Sequence, residues 1–299
     1  MPELPEVETV RRDVEAAFAG RRVEAVTATG VRTIRRHGGA APLIDRISGR
    51  RLVGTDRHGK FLLLRLDTGD VVVIHLGMSG QLRAVPAGTP PAPHTHVVLA
   101  VEGGTELRFV DPRTFGEVFV TGPDVPELAH LGPDALTGVP DAAALGRLLA
   151  GRRRRMKPTL LDQQVIAGIG NIYADESLWA ARIHPDRPAG DLRAPTIGRL
   201  HASIRATLLA GIDHRGSSLA DEQYRDLQGG LGGYQHHHQV HAREGMPCGR
   251  CGAPIRRARD GGRSTYWCPR CQRRPGDGAH SRQGSVERWC IPGAVTGLR

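Results

Sequence analysis

Lysine is nearly missing. Of the 41 basic residues in this 299-residue chain only Lys60 and Lys157 are lysine, the rest being arginine. Arginine stays charged, whereas lysine can lose its proton when desolvated and can act as a point donor. A chain so biased has room for lysine mainly where arginine will not serve, which makes both positions site candidates. Long apolar runs are missing too. The longest, such as Val71-Val72-Val73-Ile74, are strand-sized, which excludes a spanning helix. No basic-then-apolar leader is visible at the N-terminus, so a cytoplasmic protein is expected. Acidic residues are the minority, 31 against 41 basic, for a net charge of +10. That surplus fits a polyanion, most simply nucleic acid; a merely solvated basic surface is the alternative.

What is present starts at the N-terminus, with Pro2-Glu3-Leu4-Pro5-Glu6. Trimming of Met1 would leave Pro2 with a free secondary amine. An α-amino group titrates at roughly 7.7–8.0, so much of it is neutral near pH 7 and able to form a Schiff base with a carbonyl carbon. Glu3 is close enough to shuttle a proton. The same residues also read as a helix start, with Pro5 near the first helical position and Glu6 and Glu8 complementing the dipole. Val7, Val10, Val14 and Phe18 fall on one helical face, and Gly20 stops the helix.

Strands are expected over 22–29, 51–56, 60–66, 71–76, 94–101, 105–110 and 117–121, with a basic loop over 30–42 between the first two. Hairpin turns fall at Asp67-Thr68-Gly69-Asp70 and Gly103-Gly104. Many short strands separated by turns predict a sandwich or barrel. Helical periodicity takes over at Ala142–Leu149, Pro158–Gln164, Ile172–Ala181 and Thr196–Leu209. The turn Ala167-Gly168-Ile169-Gly170-Asn171 should bring a helix N-terminus to the surface. Such an end binds phosphate well, or it is a plain helix–turn–helix connection capped by Asn171. Arg152–Arg155 lie just upstream. Residues 216–238 read as a flexible polar loop. Three adjacent histidines, His236 to His238, cannot easily face one ion and are expected at the surface or facing DNA.

Cys248-x-x-Cys251 and Cys268-x-x-Cys271 are 16 residues apart, the spacing of a four-thiolate structural zinc site. Such a closed site folds its module and does no chemistry. Without a secretory leader, disulfides are the weaker reading. Cys290 is left over in a tail expected to be disordered.

Together these pieces resemble the bacterial formamidopyrimidine-DNA glycosylases. The matching stretches, in order, are Pro2-Glu3-Leu4-Pro5-Glu6-Val7-Glu8, His58-Gly59-Lys60, His75-Leu76-Gly77-Met78-Ser79-Gly80, Asp111-Pro112-Arg113-Thr114-Phe115-Gly116, Gly168-Ile169-Gly170-Asn171-Ile172-Tyr173-Ala174-Asp175-Glu176, and the two knuckles with Gly262-Arg263. The resemblance implies an α+β protein: an N-terminal β-sandwich flanked by helices (1–125), a linker (126–140), a helix–two-turns–helix domain (141–238) and a four-cysteine zinc finger (239–273), followed by the tail (274–299). It implies one structural zinc ion and, as partner, double-stranded DNA carrying oxidised bases or abasic sites, bound by a monomer between the domains.

On this resemblance Pro2 would be the nucleophile, Glu3 the general acid/base, and Lys60 a phosphate contact or an aid to elimination. Arg263 would bind phosphate and support δ-elimination, and Lys157 and Asn171 would contact phosphate. His94 and Arg152 would be weaker DNA contacts. Met78, Arg113 and Phe115 would fill the hole left by a flipped base; read alone, they are ordinary core and an ion pair. The implied substrates are 8-oxoguanine and formamidopyrimidines. An endonuclease VIII-like preference for oxidised pyrimidines is the near alternative, and a non-catalytic DNA-binding protein the distant one. The chain departs from the family pattern at Thr95, where an acidic residue is usual, along the loosely matching loop Leu219–Gln235, and in the tail.

Overall fold

The computed structural model describes residues 1–219, 223–260 and 262–274. Most of the expected tail, with Cys290, lies outside the described residues. Helix α1 (Leu4–Phe18) buries Val7, Val10, Val14 and Phe18, the face its periodicity predicts. Eight strands follow: β1 (Val23–Ala28), β2 (Leu52–His58), β3 (Phe61–Leu66), β4 (Val71–His75), β5 (Gln81–Pro86), β6 (Thr95–Val101), β7 (Thr105–Val110) and β8 (Glu117–Thr121). They form two antiparallel sheets ordered β1-β6-β7-β5 and β2-β3-β4-β8. Side chains from both sheets and from α1 share one core, with Leu62, Leu64, Val72 and Ile74 meeting Leu99, Leu107 and Phe109. The apolar run in β4 is continuous because its other face is also covered: Val71 and Val73 pack with Phe119 and Leu128. Strand β5 was not among the expected strands, and helix α2 (Ala41–Ile47) begins at the end of the expected basic loop, ahead of the second expected strand. Its seven residues give too short a period to read.

The second part packs α3 (Ala142–Leu149), α4 (Met156–Leu160), α5 (Asn171–Ala181) and α6 (Ala194–Asp213) around a core containing Leu145, Leu160, Tyr173, Leu178, Leu200 and Leu208. The expected helix over Pro158–Gln164 begins earlier and ends at Leu160. Leu4, the first residue of α1, belongs to this helical core, so the N-terminus is threaded into the second part. A hairpin of β9 (Arg256–Asp260) and β10 (Arg263–Trp267) completes the cysteine module.

The expected flexible loop is tied down where it is described. Tyr224 and Leu227 are buried in the sandwich core. Asp226 accepts from Gln228 and Gly230 N–H groups and from Arg215. His238 is likewise not a surface histidine. It is 4% exposed, sits 3.0 Å from Ser217 Oγ, and is pushed down to about 3 chiefly by burial. No described helix is long and apolar enough to cross a membrane.

Candidate active site

A cavity of about 500 Å³ opens beside the N-terminus and is lined by Met1, Glu3, Lys60, Met78, Asn171 and Arg263, among others. Pro2 is buried and borders a smaller neighbouring cleft that Met1 also lines. Met1 lines both spaces, and its removal would leave Pro2 as the terminal residue at the smaller cleft.

Glu3 is fixed from the middle of the chain. Its carboxylate accepts the N–H groups of Ile172 (2.9 Å) and Tyr173 (3.3 Å), the first turn of α5. The unsatisfied amides and positive dipole end of a helix favour an anion. Here that anion is Glu3, which corrects the expectation of a phosphate on these amides. The geometry also explains the glycines of Gly168-Ile169-Gly170. A Cβ on Gly170 would lie 2.2 Å from Glu3 Cδ, and one on Gly168, where φ is +108°, would lie 2.6 Å from Leu4 Cδ1.

Glu6, which sequence reasoning treated only as a helix-start residue, is fully enclosed. It accepts from Glu3 N (2.8 Å), Tyr173 Oη (2.7 Å) and Ser217 N (2.8 Å). Burial and the neighbouring Glu3 charge push it up to about 7, against the pull of those donors. A carboxyl poised there exchanges a proton near neutral pH, three residues along the chain from Glu3, whose carboxylate lines the cavity.

Lys60 follows a turn held by two backbone bonds. Gly59, at φ +58°, donates its N–H to Asp134 Oδ2 (2.8 Å), while its carbonyl accepts from Arg57 Nη1 (2.9 Å). Arg57 also pairs with Asp134 and Glu8. Lys60 is 6% exposed. Burial holds its ammonium below the usual lysine range, Glu3 and Glu6 oppose that shift, and Arg263 adds to it. Asp134 and Arg57 were not foreseen: Asp134 lay in the stretch read as a linker, and no local pattern marks a carboxylate that caps a turn 75 residues away.

Met78 and Phe115 are each 41% exposed, a cost no ordinary core residue would carry. Their loops pack together: a Cβ on Gly77 would sit 2.5 Å from Gly116 N. Asp111 holds the second loop by accepting from Gly116 N (2.7 Å) and Arg113 N (3.2 Å), and it ties Ser79 Oγ to the same point (2.5 Å). The Arg113 guanidinium lies 4.9 Å from the Phe115 ring centroid. An apolar pair and an arginine thus project together beside the cavity, rather than forming the core and ion pair of the plain reading.

The remaining candidates divide. Asn171 lines the cavity, and its Oδ1 is buried without a hydrogen-bond partner among the described residues. Arg263 is exposed and lines both this cavity and a second basic one, shared with Arg154, Arg259 and Trp267. Lys157 differs from its expected role. Its ammonium is 2.6 Å from Asp175 Oδ1 and donates to Ser264 O (2.8 Å), bracing the β9–β10 hairpin against α5. Arg152 turns back onto Leu148 O (2.6 Å). His94 occupies a left-handed turn (φ +64°) before β6 and does not line the cavity.

The four cysteine sulfurs lie within 4.8 Å of one another. Tetrahedral zinc with bonds of about 2.3 Å spaces its sulfurs by roughly 3.8 Å, close to the observed 3.4 Å for Cys251–Cys268 and 4.0 Å for Cys248–Cys271. Trp179 Nε1 donates to Cys248 Sγ (3.4 Å), orienting a ligand from the helical part. The donor set fits one structural zinc ion.

Three family models cover most of the chain: the formamidopyrimidine-DNA glycosylase N-terminal domain over residues 1–118, the H2TH domain of the same enzymes over 131–223, and a zinc finger found in FPG and IleRS over 245–274. The chain is 44% identical over 292 residues to a formamidopyrimidine-DNA glycosylase of Nocardia farcinica, covering 92% of this chain and 99% of that one. It is 45% identical over 280 residues to one from Salinispora arenicola, covering 92% and 97%. Among solved structures, the MutM (Fpg) protein of Thermus thermophilus superposes with a TM-score of 0.80 at 40% identity, covering 91% of this chain and 98% of that one. Lactococcus lactis Fpg in complex with DNA containing an abasic site superposes with a TM-score of 0.83 at 33% identity, covering 91% and 100%.

Proposed function

The chain belongs to the formamidopyrimidine-DNA glycosylase family, and from that membership we propose that it is a bifunctional glycosylase and abasic-site lyase acting on oxidised purines in duplex DNA. The observation that carries this reading is that Glu3 and Lys60 line one cavity with Met1, the residue whose removal frees the Pro2 nitrogen, beside a projecting Met78, Arg113 and Phe115. The protein works as a monomer in the bacterial cytoplasm, bound to the nucleoid when on DNA.

The chemistry follows from the residues. The neutral Pro2 nitrogen attacks C1′ of the damaged nucleotide. The glycosidic bond breaks and its electron pair leaves with the base; the C1′–O4′ bond then breaks, opening the sugar ring with O4′ leaving as a hydroxyl, while Glu3 relays the protons. The resulting iminium acidifies the C2′ proton. Its removal expels the 3′ phosphate, and a second elimination expels the 5′ phosphate, with Lys60 and Arg263 stabilising the leaving anions. Flipping the lesion out of the stack costs a few kcal/mol. Met78 and Phe115 offset that cost by filling the gap, while Arg113 hydrogen-bonds the orphaned base.

The direct test is borohydride trapping on a duplex carrying 8-oxoguanine opposite cytosine. A covalent adduct mapping to Pro2 is expected. An adduct with a pre-formed abasic site but not with 8-oxoguanine would retain the lyase and reject this substrate, with oxidised pyrimidines then the next class to try. No adduct with either, from protein shown to lack Met1, would leave a DNA-binding protein without the chemistry.

Two further results are expected. Glu3→Gln keeps one oxygen for the Ile172 amide, the shorter of the two bonds, but loses the proton relay. Single-turnover base release should fall by about 10²–10⁴-fold, with abasic-duplex affinity within a few fold; unchanged release would refute the role. Phe115→Ala should slow base release from a lesion far more than it weakens binding to undamaged duplex, because the wedge acts only on opened DNA. Equal losses in both assays would count against a wedge.

A further inference from the structure

The basic loop after β1 takes no part in the chemistry above, yet it is fastened to the tip that carries Phe115. We propose that Arg35 is a positioning residue for the wedge, holding the Phe115 loop in the projecting form that enters opened DNA. The inference rests on the reading of Phe115 as a wedge. Two bonds lay the loop along β8: Val118 N–H donates to Thr33 O (2.9 Å) and Val120 N–H to His37 Nε2 (2.9 Å). From there the Arg35 guanidinium reaches the tip. Its Nη1 donates to Gly116 O (2.9 Å) and to Arg32 O (3.0 Å), and its Nη2 lies 2.8 Å from Glu117 Oε2. The Arg32 guanidinium is 5.8 Å from the Phe115 ring centroid.

The tip needs holding from outside. Phe115 is exposed, so no core contact fixes its place. Thr114, just before it, sits at φ +53°, the left-handed region that a β-branched residue disfavours. Such a backbone persists only where its surroundings over-determine it. Gly116, just after Phe115, is gripped on both sides: its N–H donates to Asp111 Oδ2 (2.7 Å) and its carbonyl accepts from Arg35. Asp111 belongs to the same loop, whereas Arg35 ties that loop to a different part of the sandwich.

Arginine suits the task because its planar fork presents several donors in fixed directions. One guanidinium here serves a carbonyl and a carboxylate together, which the single nitrogen of a lysine does less well. The pair with Glu117 is not what keeps β8 folded. Glu117 also takes both Nε and Nη2 of Arg36, each at 3.0 Å, so removing Arg35 leaves no buried carboxylate unpaired. What is lost is the hold on Gly116.

The test is a double-mutant cycle on the full-length protein: wild type, Arg35→Met, Phe115→Ala and the two combined. Single-turnover base release from an 8-oxoguanine duplex is compared with strand cleavage at a pre-formed abasic site, and thermal melting checks folding. Arg35→Met should slow base release by about tenfold, within the range of coupling between residues that act together. Cleavage at the abasic site should change by less than about threefold, because no base is left to extrude. In the Phe115→Ala background the same substitution should change base release by less than about twofold, the scatter of independent sites, since no ring remains to be positioned. Arg35→Lys should recover part of the rate, and it carries the same comparison if the Met variant fails to fold. An equal loss in both backgrounds would make Arg35 an independent contact, for instance with a DNA phosphate, and overturn the inference alone. An equal loss on both substrates would overturn it as well. A wild type that releases no base, or a Phe115→Ala variant that releases it normally, would remove the parent reading and this one with it.

Discussion

Pro2→Gly is expected to lower base release from 8-oxoguanine duplex by on the order of 10³-fold or more, as loss of a nucleophile does in other covalent mechanisms, while affinity for an abasic-site duplex stays within a few fold. The asymmetry follows from what proline contributes. Its ring adds little contact area with DNA, but its nitrogen is a secondary amine whose attack gives a permanently charged iminium. Glycine still offers a primary amine after Met1 is removed, which is why a residue of activity and weak trapping should remain. The side chains around the nitrogen are held independently of it: Glu3 by the amides of α5, Glu6 by Tyr173 and Ser217. The variant should therefore fold normally. Stopped-turnover assays with borohydride trapping check this, and wild-type turnover in the variant would remove Pro2 from the mechanism.

Cys268→Ser, or stripping zinc with a chelator, is expected to unfold the β9–β10 module and weaken binding to the abasic duplex by at least about a hundredfold. The magnitudes make the case. A structural zinc site is worth about 10–16 kcal/mol at pH 7, as much as the whole net stability of a typical domain. Among the described residues the buried apolar core of this module is Val240, Cys248, Ile255 and Cys268, with a few half-buried neighbours. Without the metal little remains to hold the hairpin that carries Arg263. The damage should reach Lys157, whose ammonium braces the hairpin through Ser264 O. The sandwich and the four-helix core share no cysteine and should keep their unfolding transition. Calorimetry would then show loss of one component, together with loss of affinity; undiminished DNA affinity in the zinc-free protein would refute the structural role.

What the sequence determined by itself is local. The period of α1, the hairpin turns around Gly69 and Gly103-Gly104, and the spacing of Cys248, Cys251, Cys268 and Cys271 each lie within a few tens of residues and obey rules of backbone geometry or metal coordination. The Met78 and Phe115 motifs were legible as a family resemblance, not from their chemistry, since an apolar residue reads as core until its exposure is seen. Only tertiary structure decided that the first turn of α5 holds Glu3 rather than a phosphate, because the partners are 169 residues apart and compete for the same amides. It decided too that Lys157 is consumed by Asp175, that Asp134 caps the Gly59 turn, and that His238 is buried against Ser217. The physical reason is common to all four. Burial and charge pairing are properties of the folded interior, where a group's role is set by which oppositely charged or hydrogen-bonding partner reaches it, and no local pattern in the sequence says which partner that is.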